Sequence, residues 1–181
     1  MKQLTFITGN QHKANYLAQF LGLHIDHLKL DLDEIQSLDL HQVVEHKVRQ
    51  AYEKIQSPVI VEDVSLEFSA LGRLPGTFIK HFIDEIPLQT ICSLLENKRR
   101  NATARCMIAY YDGTNLEFFE QFLDGEIAQE PSGTGGYGWD SIFIPRGFST
   151  TNAALSEADY QNVYLQIKPL LALKNFLTAL P

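Results

Sequence analysis

The chain opens with a strand, a tight loop and a helix in immediate succession, an order that commits its beginning to an α/β layer. Leu4-Thr5-Phe6-Ile7 reads as a strand, and Ala14, Leu17, Ala18 and Leu21 recur at helical spacing. Between them lies Thr8-Gly9-Asn10-Gln11-His12-Lys13. A loop in this place turns free backbone N–H groups and the positive end of a helix dipole toward one point, where a phosphate is easily held. Gly9 permits close backbone approach, Thr8 and Asn10 offer side-chain hydrogen bonds, and Lys13 brings a mobile cation one turn into the helix. The same residues also describe an ordinary capped helix with a surface lysine.

A second helix is expected over residues 39–55, with Leu40, Val43, Val44, Val48, Ala51, Tyr52 and Ile55 as its apolar residues. Lys47 falls inside that apolar arc and not on the polar face with Glu45, His46 and Arg49. It either snorkels to the edge of the core or points toward a polyphosphate, and the second explains its position better. Pro58-Val59-Ile60-Val61 is expected to be a short buried strand that ends on Glu62-Asp63. Acids there supply the hard oxygen ligands that Mg²⁺ takes, with Mn²⁺ as a substitute, and Glu34 is the candidate third carboxylate. One of these acids is suited to positioning or deprotonating an attacking water, although solvated acids after a strand are the commoner outcome.

Further on, residues 70–76 read as a turn, 78–83 and 88–95 as helices, and 103–111 and 116–127 as strands joined by the hairpin turn Asp112-Gly113-Thr114-Asn115. A last helix is expected over residues 166–180, with Pro169 tolerated only near its first turn. A glycine-rich loop over 130–138 runs into Tyr137-Gly138-Trp139-Asp140. These residues suit a nucleobase, with an aromatic face for stacking and a carboxylate for a base-edge or ribose hydrogen bond. An aromatic core plug is the competing reading.

At 181 residues the chain is expected to form a single domain, 1–181. Its net charge of −7 argues against a nucleic-acid partner, which needs a basic face. Without a long apolar run at its start, no membrane partner is expected and a cytoplasmic location is. Cys92 and Cys106 lack metal-ligand spacing and read as reduced core thiols, and the scattered histidines form no zinc pair.

Taken in order, these segments resemble the inosine triphosphate pyrophosphatase (Ham1-like) family, which hydrolyses non-standard purine nucleoside triphosphates to the monophosphate and pyrophosphate. The resemblance rests on residues 8–13, on Asp31-Leu32-Asp33-Glu34-Ile35-Gln36, on Lys47 and on the long stretch from Val61-Glu62-Asp63 through Leu74-Pro75-Gly76-Thr77-Phe78-Ile79-Lys80. Gly138-Trp139-Asp140-Ser141-Ile142-Phe143 completes it. The resemblance implies an α/β fold with a two-lobed mixed sheet flanked by helices, a ligand cleft between the lobes, and a homodimer. It implies Asp63 as the residue that activates water, with Lys13 beside it as a catalytic cation. Glu34, Glu62 and Asp63 would surround Mg²⁺, and Asn10, Lys13 and Lys47 would hold the triphosphate of a nucleoside triphosphate substrate.

The chain departs from the family near its end. Where the family carries Glu-Lys-Asn followed by Ser-His-Arg, this sequence has Asp159-Tyr160-Gln161-Asn162 and Tyr164-Leu165-Gln166. Tyr160 takes the lysine position, and Leu165 and Gln166 take two positions that contact the nucleotide. Two cations and a neutral donor are lost, so an altered base specificity is expected. The alternative is a catalytically weakened nucleotide-binding or sensing protein of the same fold.

Overall fold

The computed structural model describes residues 4–180. Its elements are β1 (Thr5–Ile7), α1 (Gln11–Leu21), β2 (Asp26–Leu28), α2 (Leu40–Ile55), β3 (Val59–Phe68), β4 (Pro75–Gly76), α3 (Ile79–Glu85), α4 (Leu88–Ser93), β5 (Asn101–Tyr111), β6 (Leu116–Ile127), β7 (Phe143–Pro145), α5 (Glu157–Ile167) and α6 (Leu170–Ala179). The strands form one seven-stranded sheet in the order β2-β1-β3-β5-β6-β7, with β4 paired to β3. β1 is parallel to both β2 and β3, whereas β4 runs antiparallel to β3 and β7 antiparallel to β6. The sheet is therefore mixed, and helices flank it. No helix among the described residues is long and apolar enough to cross a membrane.

The contacts divide the chain into two compact units. The first comprises the described residues up to Asp63, together with Cys106–Glu120 and the described residues from Pro169 onward; the second comprises Val64–Arg105 and Gln121–Lys168. In the first, Leu40, Val44, Val48 and Ala51 of α2 pack on Val59 and Val61 of β3 and on Met107 and Ala109 of β5. Burial of each such side chain contributes about 1.5–3 kcal/mol for the larger ones, enough to fix the face that α2 presents. Asp39 caps this helix by accepting from the backbone N–H groups of His41 and Gln42, and Gln56 ends it in a left-handed conformation at φ 57°. In the second unit, Arg100 donates to the carbonyls of Cys92 and Leu95 at the end of α4 and to those of Ile127 and Ala128, tying that helix to β6. Both cysteines are free and buried, as expected.

Two expectations need correction. The strand at residues 58–61 does not stop at Glu62-Asp63 but continues to Phe68, because Leu66 and Glu67 find a partner in β4. The expected last helix over 166–180 is two helices, α5 and α6. Pro169 has no N–H to donate and biases its predecessor away from helical backbone, so Lys168 is extended at φ −95° and ψ 127°. α6 then starts afresh, with the Leu173 N–H bonded to the Pro169 carbonyl. The hairpin turn at Asp112 to Asn115 forms as expected, held by the Asp112 carboxylate on the N–H groups of Thr114 and Asn115.

Candidate active site

The loop after β1 is shaped by its own side chains. Thr8 Oγ1 accepts from the Asn10 N–H at 3.0 Å, and Asn10 Oδ1 caps α1 by accepting from the Lys13 N–H at 3.1 Å. The Thr8 N–H is bonded to the Leu28 carbonyl at 3.0 Å, which fixes the start of the loop to the end of β2. Gly9 carries no side chain, and a Cβ there would stand 3.2 Å from Cδ of Lys29, whose stem lies along the loop. The helix cap, common to both readings of this segment, is present, and Gly9 is exposed.

The acids sit where the sheet hands over to this loop. β1 and β3 are paired only as far as Ile7 and Val61, so the chain leaves β1 at the level where Glu62 follows in β3. Side chains of a strand alternate between its two faces. Asp63 shares the face of Val59 and Val61, which α2 covers, and there it meets Lys47: Nζ donates to Asp63 Oδ2 at 2.6 Å and to Glu34 Oε1 at 2.9 Å. Glu62 points the other way and meets Lys13 of α1, with Nζ 3.0 Å from Oε1 and the Glu62 side chain only 5% exposed. Burial of the Lys47 ammonium works to lower its pKa, but the charges and hydrogen bonds of Asp63 and Glu34 outweigh it, and the pKa stands above the ordinary lysine value.

This arrangement differs from a gathered set of three carboxylates. Among the described residues no group of three or more histidine, cysteine or acidic side chains converges as a metal site. The reason is the continued strand: Glu62 and Asp63 are successive residues of β3 and are taken up by ammonium groups from different helices. The chemistry of the donors nonetheless fits Mg²⁺. Glu34 and Asp63 come from distant segments, and their oxygens already converge on one cationic position, occupied by Lys47 Nζ. Mg²⁺ commonly uses one or two carboxylates and completes its shell with water and substrate oxygens.

In the second unit, Tyr137 is 54% exposed, Gly138 is exposed and Trp139 is half-buried, so the segment presents aromatic surface. Asp140 behaves differently from a side chain offered to a ligand. It is 9% exposed, with Oδ2 accepting from the Tyr137 N–H at 2.9 Å and the Tyr160 hydroxyl at 3.0 Å, and Oδ1 accepting from Asn152 Nδ2 at 2.8 Å. Burial first, and then the Asp140 carboxylate beside it, push the Tyr160 pKa far above the ordinary tyrosine range. Leu165 and Gln166 lie on α5 with Tyr160; Leu165 is 39% exposed and Gln166 is half-buried.

Asn152 is the residue that sequence reasoning missed. It lies in a short turn of helix over Asn152–Ala154, and no local pattern marks a contact with a carboxylate twelve positions earlier.

The model of the Ham1 family matches residues 4–176. The chain belongs to the Ham1 family. Among relatives of this Ham1-family chain, inosine triphosphate pyrophosphatase 2 of Trypanosoma cruzi is 38% identical over 95% of this chain and 90% of its own. A dITP/XTP pyrophosphatase of Thermococcus kodakarensis is 33% identical over 97% of each. The solved Ham1 protein of Staphylococcus aureus is similar with a TM-score of 0.84 at 25% identity, covering 98% of both chains. A HAM1 protein from Coxiella burnetii shares the fold with a TM-score of 0.86 at 24% identity, over 99% of this chain and all of that one.

Proposed function

We propose that this protein is a Mg²⁺-dependent nucleoside triphosphate pyrophosphatase that releases nucleoside monophosphate and pyrophosphate, with a base choice altered from that of oxopurine-specific relatives. The observation that carries the reading is Lys47 Nζ held between Asp63 and Glu34. A cation and two carboxylates from separate segments share one point there, on the unit that also carries the loop of residues 8–13. The names of similar proteins, inosine triphosphate and dITP/XTP pyrophosphatases, support the same reaction class.

In this reading the backbone of Thr8, Gly9 and Asn10 and the ammonium groups of Lys13 and Lys47 bind the triphosphate. Glu34 and Asp63 would hold Mg²⁺, and Glu62 would join them as a third ligand only by leaving both Lys13 and the opposite face of β3. When bound, the ion supplies charge neutralisation between phosphate oxygens. Asp63 orients a water and accepts its proton as the water oxygen bonds to the α-phosphorus. The bond from that phosphorus to the bridging oxygen breaks, and pyrophosphate leaves with the electron pair. Lys13 and Lys47 stabilise the charge that spreads onto the leaving group.

Tyr137, Gly138, Trp139, Leu165 and Gln166 of the second unit are proposed to take the base. Tyr160 has one hydroxyl proton and donates it to Asp140, and Leu165 has no polar side-chain atom, so neither offers a donor to a base carbonyl. That is the support for an altered base choice. Steady-state pyrophosphate release across inosine, xanthosine, guanosine, adenosine and pyrimidine triphosphates, with Mg²⁺ or Mn²⁺, is the test. Turnover without a strong preference for inosine triphosphate is the expected result, and silence across the set refutes the reading.

The same Tyr160 contact favours, as a second reading, a nucleotide-binding protein without turnover. Calorimetric binding of a triphosphate with no product formed would support it. The single functional domain, homodimer and cytoplasmic location belong to the main proposal, and sedimentation velocity checks the dimer.

A further inference from the structure

We propose that Asp140 is the anchor around which the loop of residues 133–140 is folded, and that Tyr160 is a positioning residue that holds this anchor from α5. The inference rests on the reading that Tyr137 and Trp139 take the base, and it reassigns Asp140 and Tyr160 from touching the nucleotide to shaping the surface that does.

The carboxylate has about four acceptor directions, and three are filled by Tyr137 N–H, the Tyr160 hydroxyl and the Asn152 amide. The loop backbone is wrapped directly over it. Gly136 has φ 68°, and a Cβ there would stand 2.1 Å from Asp140 Oδ2, so only glycine lets the chain pass. The Asp140 main chain is pinned as well: its N–H donates to the Tyr137 carbonyl at 3.3 Å, and its carbonyl accepts from the Ala153 N–H at 3.0 Å. Gly135 N–H bonds the Ala153 carbonyl at 3.0 Å, and Thr151 Oγ1 donates to the Ser132 carbonyl at 2.7 Å.

Residues 132–140 are thus laced to residues 151–153 by several bonds. Tyr160 supplies the contact to the same carboxylate from α5. A buried carboxylate that loses one of its donors is left partly unsatisfied, and the loop relaxes to bring water to it. Trp139 is the chain's single tryptophan and sits inside this loop, so its emission reports on the loop alone.

The test compares the full-length protein with Tyr160→Phe and Asp140→Asn, after circular dichroism has shown each to be folded. Loss of one hydrogen bond to a charged group shifts the loop toward open forms by about tenfold or more, read as stronger acrylamide quenching of Trp139 in both variants. With turnover, the KM of a nucleoside triphosphate rises by about tenfold while kcat stays within about twofold, the pattern of a lost ground-state binding surface. Calorimetric affinity for inorganic tripolyphosphate, which has no base, stays at the parent value. Parent-like quenching in both variants overturns the proposal, and so does an equal loss of nucleotide and tripolyphosphate affinity. If the parent itself lacks turnover, the quenching arm still decides, so failure of the enzymatic reading is distinguishable from failure of this one.

Discussion

The two candidate regions use carboxylates in opposite ways. In the first unit, Glu34, Glu62 and Asp63 face ammonium groups carried by α1 and α2, contacts that the proposed function has a metal-bound polyphosphate replace. In the second, Asp140 is closed in by a backbone N–H, a hydroxyl and an amide from its own unit. The first set is paired charge and the second is internal scaffolding. A conspicuous acid in a family motif is therefore paired with a mobile cation in one place and enclosed by its own loop in another, and only its partners tell which.

The largest effect that could break this comparison is at Asp63. Asp63→Asn keeps the shape but removes the proposed proton acceptor, and turnover is expected to fall by about 10²–10⁴-fold in steady-state pyrophosphate release, the range for general-base catalysis. A fall of similar size in Asp140→Asn would erase the distinction between the two acids.

Lys47→Met comes next. It removes a charge-assisted bond to Asp63, worth about 1.5–3 kcal/mol, and a solvent-screened one to Glu34, worth less than about 1 kcal/mol, and kcat/KM is expected to fall by about 10–100-fold. The pKa of Lys47 is raised in the folded protein, so its contribution to stability is complete below the unfolded value of about 10.4 and is lost as pH rises through the folded one. Urea melts of the parent should therefore lose stability on the alkaline side, and Lys47→Met should lack that component of the loss.

The smallest effect sharpens the comparison from within the first unit. Burial works to raise the Asp112 pKa, but the Asn115 backbone and side chain, the Thr114 N–H and the Tyr110 hydroxyl outweigh it and bring it down to about 2. This carboxylate holds a hairpin turn and no proposed ligand. Its support for folding is present above the unfolded value of about 3.9 and lost as pH falls toward the folded one. Asp112→Ala should cost about 1 kcal/mol in thermal melts at neutral pH, the worth of a capping side chain, and leave kcat/KM unchanged.

What could be read from the sequence follows the range of the physics involved. The strand, the cap at Asn10 and the helix over Leu40–Ile55 are set by residues within a few positions of each other, and they stand where the spacing puts them. Lys47 was legible for the same reason, because a lysine inside an apolar arc must reach something, and it reaches Asp63. The continuation of β3 past Asp63 was not legible, since its partner is the two-residue β4. The break before α6 was not legible, because a proline at 169 also suits the first turn of one longer helix. The role of Asp140 was hidden because its three partners come from positions 137, 152 and 160. Such a polar network has no periodicity to betray it.

The central claim, that residues on α1, α2 and β3 direct water to the α-phosphorus of a metal-bound triphosphate, is tested most directly by the fate of heavy oxygen from labelled water. A single-turnover reaction with Mg²⁺ and a nucleoside triphosphate, resolved by mass spectrometry, should place the label in the nucleoside monophosphate and leave pyrophosphate unlabelled. Label in pyrophosphate, or release of orthophosphate with a nucleoside diphosphate, would contradict it.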